Sequence, residues 1–138
     1  MAKKRYVEVV AGIVENEEGE ILINERPPGS YYELYWEFPG GKIEKEDHRH
    51  QFITLKREWM EEFGVVVRLT KFLGSFEHDY GWNNGKVCKI HFYRCVIVEG
   101  VPESRINSKF TWVKPQKLPE YKEKFLPSNL HLFPILLP

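Results

Sequence analysis

The feature that most constrains the fold is a helix pattern that ends at Gly64. Apolar residues recur at three- and four-residue steps and therefore share one face of an α-helix; they are Phe52, Leu55, Trp59, Met60 and Phe63. A glycine just after such a stripe is a typical helix stop, because it adopts the left-handed conformation without strain. The pair Gly40-Gly41 precedes the helix and predicts a turn. Since an amphipathic helix must bury its stripe, the chain needs a second apolar layer.

The last turns of this helix carry three carboxylates, those of Glu58, Glu61 and Glu62. Helical spacing places them on one face, where like charges repel, and the negative end of the helix dipole adds to the conflict. A bound divalent cation would remove both conflicts. A solvated acidic helix end, partly compensated by Arg57, is the alternative. The Gly40-Gly41 turn favours the cation, because glycine lets a backbone carbonyl approach a metal without a side chain in the way.

A resemblance to a known family is carried by Gly41 and by the run from Arg57 to Val65, which reads Arg-Glu-Trp-Met-Glu-Glu-Phe-Gly-Val. The segment resembles the box of the Nudix hydrolases, which is Gly, five residues, Glu, seven residues and Arg-Glu-U-x-Glu-Glu-x-Gly-U, with U a bulky aliphatic residue. Asp47 stands at the first Glu position, the segment between Asp47 and Arg57 is longer by two residues, and Trp59 replaces an aliphatic residue. The extra length falls at the entry to the helix, where length is tolerated, and the acidic end keeps its register.

The resemblance implies an α/β fold of the α+β kind: a Nudix-type α/β/α sandwich with a mixed sheet, in one domain over residues 1–138. It implies an enzyme that acts on phosphoric anhydride bonds with bound Mg²⁺, for which Mn²⁺ can substitute. The implied catalytic residues are Arg57, Glu58, Glu61 and Glu62. The implied metal ligands are the Gly41 carbonyl and the side chains of Glu58, Glu61 and Glu62.

Two further acids are candidate metal ligands by the same resemblance. Asp47 is one carbon shorter than the usual glutamate and would reach a metal through water. Glu103 lies in the loop before the late strand, where many Nudix enzymes place another glutamate; a solvated loop acid is the alternative. Arg57 would orient a glutamate, which agrees with its helical neighbour relation to Glu61.

The sequence around Phe38-Pro39-Gly40-Gly41 and the ending Leu126-Pro127-Ser128-Asn129 resemble the MutT branch, which hydrolyses oxidised guanine nucleotides. In that branch an Asn at the position of Asn129 contacts the purine edge, and an Arg at the position of Arg26 contacts substrate. The alternative for Asn129 is a cap on the last helix. Phe92 is a candidate wall of the base pocket, although strand packing explains it equally well.

The function predicted from these features is an Mg²⁺-dependent nucleoside triphosphate pyrophosphohydrolase that acts on NTPs or dNTPs, with removal of 8-oxo-dGTP as one role. The rivals within the family are hydrolases of a pyrimidine triphosphate, ADP-ribose or a dinucleoside polyphosphate. A non-catalytic nucleotide-binding module on the same fold is the rival outside enzymology.

Extended segments surround the helix in the predicted element order. Val7 to Val14 and Glu20 to Glu25 predict two strands joined as a hairpin, and Phe110 to Val113 predicts a late strand. The aromatic segment Tyr31 to Trp36 follows a proline-rich turn, and we interpret it as cover for the core rather than as a base-stacking surface. A last helix is predicted near Pro127, with a kink at Pro134.

Composition narrows the class of protein. The 138 residues include 20 basic and 20 acidic side chains, a net charge of +0 that argues against a broad surface for duplex nucleic acid. No apolar stretch is long enough for a membrane span, which predicts no membrane partner. Cys88 and Cys95 lie an odd number of positions apart in one predicted strand and should not pair. The expected location is the cytoplasm.

Overall fold

The computed structural model describes residues 5–48, 50–106 and 108–137. Its strands are β1 (Arg5–Val14), β2 (Ile21–Glu25), β3 (Trp36–Glu37), β4 (Gly40–Lys42), β5 (Val66–His78), β6 (Lys86–Glu99) and β7 (Phe110–Val113). Its α-helices are α1 (Gln51–Phe63), α2 (Pro127–Leu130) and α3 (Phe133–Leu136), and 3-10 helices span Lys45–Asp47 and Pro115–Lys124.

The strands form two sheets. The larger sheet has the order β4-β1-β6-β5, with β1 parallel to β6 and the other neighbours antiparallel. The smaller sheet is antiparallel, with the order β3-β2-β7. Because β1 has partners on both edges, it is an interior strand of the larger sheet.

The predicted hairpin of β1 and β2 is wrong. The turn between the strands forms, since the Asn16 side chain accepts hydrogen bonds from the backbone N–H groups of Glu18 and Glu20. After this turn the chain enters the other sheet. Among the described residues, β1 and β2 are joined only by an isolated antiparallel bridge between Glu15 and Ile21. Turn residues predict a reversal of the chain, but the apolar faces available elsewhere decide which strands pair.

The larger sheet is covered by helices on both faces, which confirms the predicted α/β/α sandwich. On one face Leu55, Trp59 and Phe63 of α1 pack against Val10 and Val14 of β1. On the other face a second cluster joins side chains of both sheets to the C-terminal segment; among them are Ala11, Ile13, Phe38, Phe92, Leu132 and Leu136. The alternating residues of β1 therefore serve two separate cores.

The buried stripe of α1 is narrower than the sequence predicts. Leu55, Trp59 and Phe63 are fully buried, whereas Phe52 is 50% exposed and Met60 is 40% exposed. The predicted stop is confirmed, because Gly64 has a φ of 70° and donates its N–H to the Met60 carbonyl. A helix buries a strip only as wide as the layer beneath it, so the two flanking residues stay in contact with water.

Trp59 is accommodated by a glycine in the neighbouring strand. A Cβ atom at Gly12 would lie 2.8 Å from Trp59 Nε1, which is closer than packed atoms allow. The indole N–H of Trp59 is also buried without a hydrogen-bond partner among the described residues. The departure from an aliphatic residue at this position of α1 is therefore matched by Gly12 in β1.

The C-terminal segment is more broken than predicted. Pro134 lies in the first turn of α3, so the expected kinked helix is two single-turn helices. A 3-10 helix of 10 residues, Pro115–Lys124, precedes these two helices. Cys88 and Cys95 are free thiols in opposite cores, as predicted. Within the described part of the chain, no helix is long and apolar enough to cross a membrane.

Candidate active site

A pocket of about 500 Å³ opens where β3, β4, α1 and α2 approach one another. Its floor is apolar and comes from β1 and β6: Val9, Ala11, Cys88 and Ile90. Acidic side chains line one part, and aromatic side chains from two loops line another. Pockets of this size and mixed character are typical binding sites for small molecules.

Two of the predicted acidic residues line the pocket. Glu58 and Glu62 are one helical turn apart on α1, and both contribute to the pocket wall. Glu61 does not line it; its side chain is 58% exposed and accepts a hydrogen bond of 3.3 Å from Arg57. The acidic face of α1 is thus divided between the pocket and the solvent.

Gly41 lies directly against the carboxyl group of Glu58. A Cβ atom at Gly41 would lie 2.2 Å from Glu58 Cδ, so the two cannot coexist in this arrangement. A Cβ atom at Gly40 would lie 2.0 Å from the Val10 carbonyl oxygen. Because β4 runs so close to both β1 and α1, the two glycines are needed for backbone and carboxylate to meet at the pocket.

Arg57 connects the acids around it. Its Nη1 donates to Glu58 Oε1 at 3.0 Å and to Glu61 Oε2 at 3.3 Å. Its Nε and Nη2 donate to the two oxygens of Asp47, each at 2.9 Å. The guanidinium therefore fixes the orientation of the acidic face. Its hydrogen bonds to Asp47, followed by the charges of Glu58 and Glu61, raise the pKa of Arg57.

Asp47 is fully occupied by these contacts and is not a lining residue of the pocket. Its Oδ2 also accepts hydrogen bonds from the Thr54 hydroxyl at 2.8 Å and the Glu44 N–H at 2.9 Å. The hydrogen bonds from Arg57 hold the pKa of this buried carboxyl well below its usual range. The structure thus gives Asp47 a contact that orients Arg57.

Glu62 is the most perturbed acid of the pocket. Its Oε2 is buried and has no hydrogen-bond partner among the described residues. Burial, followed by the charges of Glu37, Glu58 and Glu61, raises the pKa of Glu62 to about 9. Burial also raises the pKa of Glu58, against the opposing charge of Arg57. An acid buried beside other acids binds a proton unless a cation takes its place.

Glu37 belongs to this group and was missed at the level of the sequence. It lines the pocket from β3, and its Oε1 accepts a hydrogen bond of 3.1 Å from Arg26. Burial raises the pKa of Glu37 to about 7, and Arg26 limits the rise. The available signal was a lone acid between Trp36 and Phe38, separated from the glycine pair by Phe38 and Pro39.

These residues suit a divalent cation. No three His, Cys, Asp or Glu side chains form a ready cage within residues 5–48, 50–106 and 108–137. Mg²⁺-like ions do not need one, because they bind one or two carboxylates and take water and phosphate oxygens as the other ligands. The unpartnered Glu62 oxygen is available as a ligand of such an ion. The absence of a side chain at Gly41 lets the backbone approach the Glu58 carboxylate, so that both could bind the same ion. Residues that could hold it are Glu58, Glu62 and the Gly41 carbonyl.

The predicted substrate-binding residues fall into two groups. Arg26 and Asn129 line the pocket. Asn129 lies within α2 and its Oδ1 accepts the Phe38 N–H at 2.8 Å, so it is not a helix cap. Phe92 is fully buried against Phe38 and does not line the pocket. The prediction of a pocket wall is wrong, because Phe92 shares the face of Cys88 and Ile90 but lies further along β6, where core side chains cover it.

Glu103 also lies outside the pocket. Its side chain is 75% exposed and is 3.9 Å from Arg105, while its N–H donates to the Phe63 carbonyl at 3.2 Å. The backbone of this loop is thus attached to the C-terminal end of α1, away from the pocket lining. Glu103 is therefore a solvated loop acid in this structure, which is the alternative given in the sequence analysis.

The structure combines an α/β/α sandwich with a glycine turn that lies against an acidic helix. The family model of the NUDIX domain matches residues 10–123, so the chain belongs to the NUDIX family, whose members hydrolyse phosphoric anhydride bonds. Its similarity to an 8-oxo-dGTP diphosphatase and to MutT structures makes it a MutT-like member. Hydrolases of this family generally use a divalent metal ion.

Individual relatives agree with this assignment. The chain is 32% identical to 8-oxo-dGTP diphosphatase of Haemophilus influenzae over 134 residues, which are 97% of this chain and 93% of that protein. It is 28% identical to CTP pyrophosphohydrolase of Escherichia coli over 117 residues, which are 85% and 82% of the two chains. The structure of the MutT protein from Methanosarcina mazei Go1 has the same fold, with a TM-score of 0.81 at 22% identity over 99% and 96% of the chains.

Proposed function

We propose that the protein is an Mg²⁺-dependent nucleoside triphosphate pyrophosphohydrolase that converts an NTP or dNTP and water to the monophosphate and pyrophosphate. The observation that carries this proposal is one pocket lined by both the acids Glu58 and Glu62 and the amide of Asn129. Polyphosphate repels carboxylates unless a cation lies between them, whereas an amide suits the edge of a base. A nucleotide presents both groups at once.

The chain supplies orientation on the phosphate side. Arg57 holds Glu58 and Glu61 in place, and Asp47 holds Arg57. A divalent ion bound there would activate water and neutralise charge on the phosphates. Arg26, which lines the pocket and donates from Nη1 to Glu37, is positioned to bind a phosphate oxygen.

A purine such as 8-oxo-guanine is the first candidate base. Asn129 is only 2% exposed, and its orientation is fixed by the Phe38 N–H and by the Ser128 hydroxyl, to which it donates at 3.2 Å. A held amide presents its remaining donor and acceptor capacity in one direction. The relative in Haemophilus influenzae is an 8-oxo-dGTP diphosphatase, which supports this choice.

CTP is the second candidate substrate. The relative in Escherichia coli is a CTP pyrophosphohydrolase, and an amide pairs with a cytosine edge as readily as with a purine edge. We place either reaction in the cytoplasm, a location supported by the two free thiols Cys88 and Cys95.

A substrate panel with product analysis tests the proposal. It contains 8-oxo-dGTP, dGTP, CTP, ADP-ribose and a dinucleoside polyphosphate, each with Mg²⁺, with Mn²⁺ and with EDTA. We expect monophosphate and pyrophosphate from triphosphates with Mg²⁺ or Mn²⁺, and no product with EDTA. Hydrolysis of ADP-ribose, together with equal rates of hydrolysis for all the triphosphates, would contradict the MutT-type assignment.

Variants of the acidic face provide the second arm. Glu58→Gln and Glu62→Gln should each lower the Mg²⁺-dependent kcat by about 100-fold or more, because each removes a pocket-lining charge that the cation requires. Glu46→Gln removes an exposed charge from the 3-10 helix before α1 and serves as the matched control. Unchanged rates in both test variants would exclude the acidic face as the reaction centre.

A further inference from the structure

Three aromatic rings line the pocket from two loops. Tyr31 lies in the loop between β2 and β3, and Tyr80 and Trp82 lie in the loop between β5 and β6. Tyr80 and Trp82 are stacked, with centroids 5.2 Å apart and planes at 22°. Tyr31 is edge-on to both, at 6.2 Å from Tyr80 and 6.3 Å from Trp82. We call these three residues the aromatic wall.

Core packing explains Tyr80 and Trp82 in part, since both pack against the core that the C-terminal segment shares, but it does not explain Tyr31. Tyr31 is 57% exposed, although a tyrosine that covers a core buries most of its ring. Trp36, from the same aromatic segment, does serve the core and lies edge-on to Tyr121 at 5.4 Å. The segment is therefore divided, and the interpretation of it as core cover is wrong for Tyr31, which presents its ring to the pocket and the solvent.

The aromatic wall is connected to Asn129 by hydrogen bonds. The Tyr80 hydroxyl oxygen accepts the Ser128 N–H at 2.9 Å, and the Ser128 hydroxyl accepts from Asn129 at 3.2 Å. Asn129 in turn accepts the Phe38 N–H at 2.8 Å. One network thus fixes the stacked pair and the amide relative to each other, as is required if both contact the same flat ligand.

The remaining surface of this part of the pocket is apolar. Val9, Ala11, Cys88 and Ile90 form the floor, and none of them offers a charge to a ligand. A planar heteroaromatic ring is the ligand chemistry that suits an apolar floor, aromatic side chains and a single oriented amide.

We propose that Tyr31 and Trp82 stack against the base of the nucleotide and make the enzyme prefer purines to pyrimidines. The inference rests on the proposed function and identifies its substrate class. A bicyclic purine covers more of the aromatic wall than a single pyrimidine ring does. Stacking on an aromatic side chain is sensitive to this overlap, whereas the amide of Asn129 alone pairs with either kind of base.

Two variants test the aromatic wall directly, Trp82→Ala and Tyr31→Ala. With dGTP we expect a fall in kcat/KM of about 10-fold for Trp82→Ala, carried by KM, since removal of a stacking ring weakens base binding by that order. With CTP the fall should be smaller, so the ratio of dGTP to CTP efficiency decreases. Trp82→Phe should retain most of the preference for dGTP.

A base-free substrate separates stacking from a structural effect. Ribose 5-triphosphate should be hydrolysed equally by the parent protein and by Trp82→Ala. Phe72→Ala is the matched control, because Phe72 is an exposed aromatic residue of β5 that does not line the pocket. Equal losses with dGTP, CTP and ribose 5-triphosphate would overturn the proposal.

Binding of monophosphates keeps this test independent of hydrolysis. Calorimetric titration with dGMP and CMP should show weaker dGMP binding to Trp82→Ala and Tyr31→Ala than to the parent protein. If the parent hydrolyses no triphosphate, the proposed function fails, while the dGMP titration still decides the stacking role. Equal dGMP affinity in the parent and both variants would exclude that role.

Discussion

Arg57 binds Asp47 through two parallel hydrogen bonds, Nε to Oδ1 and Nη2 to Oδ2, each 2.9 Å long. The contact spans the segment that departs from the Nudix box in both residue and length. The shorter acid and the two extra residues still place a carboxylate against the guanidinium, since a 3-10 helix ends at Asp47 and α1 begins at Gln51. The departure at Asp47 therefore leaves the orientation of Arg57 intact.

Asp47→Asn should cost about 3 kcal/mol of stability, because it leaves Arg57 with an incomplete partner in a buried site. Urea denaturation measures this loss, and Glu46→Gln is the exposed control. Since folding lowers the pKa of Asp47, its contribution is present above the unfolded pKa near 4 and is lost as the pH falls further. An acid unfolding curve that is the same in Asp47→Asn and the parent would contradict this assignment.

Gly41→Ala should abolish most activity while the fold remains. The added methyl group must displace the Glu58 carboxylate, and misplacement of a catalytic group by about 1 Å costs on the order of 100-fold in rate. Steady-state kinetics with Mg²⁺ measures the effect, and circular dichroism checks the fold. Gly85→Ala is the control, since its Cβ meets nothing within 4 Å, although its φ of 73° costs some stability. Parental kinetics in Gly41→Ala would show that Glu58 has no fixed position.

The metal-free protein should lose stability as the pH rises from about 4.5 to about 9. Folding raises the pKa of Glu62 to about 9 from an ordinary value of 4.5, so the folded state holds this proton more tightly than the unfolded state does. The protonated Glu62 therefore contributes its full stabilisation below about pH 4.5, and this contribution is lost as the pH rises through about 9. Urea denaturation in EDTA across this range measures the slope.

Glu62→Gln should flatten that slope, and Glu17→Gln, a change in the exposed turn after β1, should not. Saturating Mg²⁺ should also reduce the loss at high pH, because a bound cation stabilises the ionised acid. A slope that persists unchanged in Glu62→Gln would assign it to other groups.

Gly12 and Trp59 should be energetically coupled. Gly12→Ala overpacks the core at about 1–3 kcal/mol, and Trp59→Leu leaves a space that costs about 2 kcal/mol. The double variant should lose about 1 kcal/mol less stability than the two single variants lose in sum, since the smaller leucine makes room for the alanine methyl. A double-mutant cycle by urea denaturation measures this coupling, and strict additivity would show that the two sites are independent.

Local signals in the sequence predicted the elements well. The end of α1 at Gly64 and the bounds of β7 at Phe110–Val113 agree with the structure, because periodicity, a glycine stop and a following proline act within a few residues. The family and the sandwich fold followed from the run that begins at Arg57. The strands that pair with β1 could not be predicted in this way, since pairing depends on which apolar faces are free in three dimensions.

The site was predicted less completely than the fold. Glu58, Glu62, Arg26 and Asn129 do line one pocket, and their catalytic, metal and substrate roles stay predictions. Phe92 was misplaced because alternation along β6 puts it on the same face as Cys88 and Ile90 but does not indicate how far along the strand the pocket extends. The position of Glu37 depends on how β3 lies against α1, a tertiary relation that no spacing in the sequence records.

The two parts of the pocket on either side of Phe38 come from different elements, and this has a consequence for the evolution of such enzymes. On the proposed assignment, the reaction half of the pocket comes from α1 and β4, and the recognition half comes from α2 and two loops. The two halves meet where Phe38 follows Glu37 and donates to Asn129. Substitutions in the loops can therefore redirect the scaffold to another base while the acidic helix is inherited unchanged.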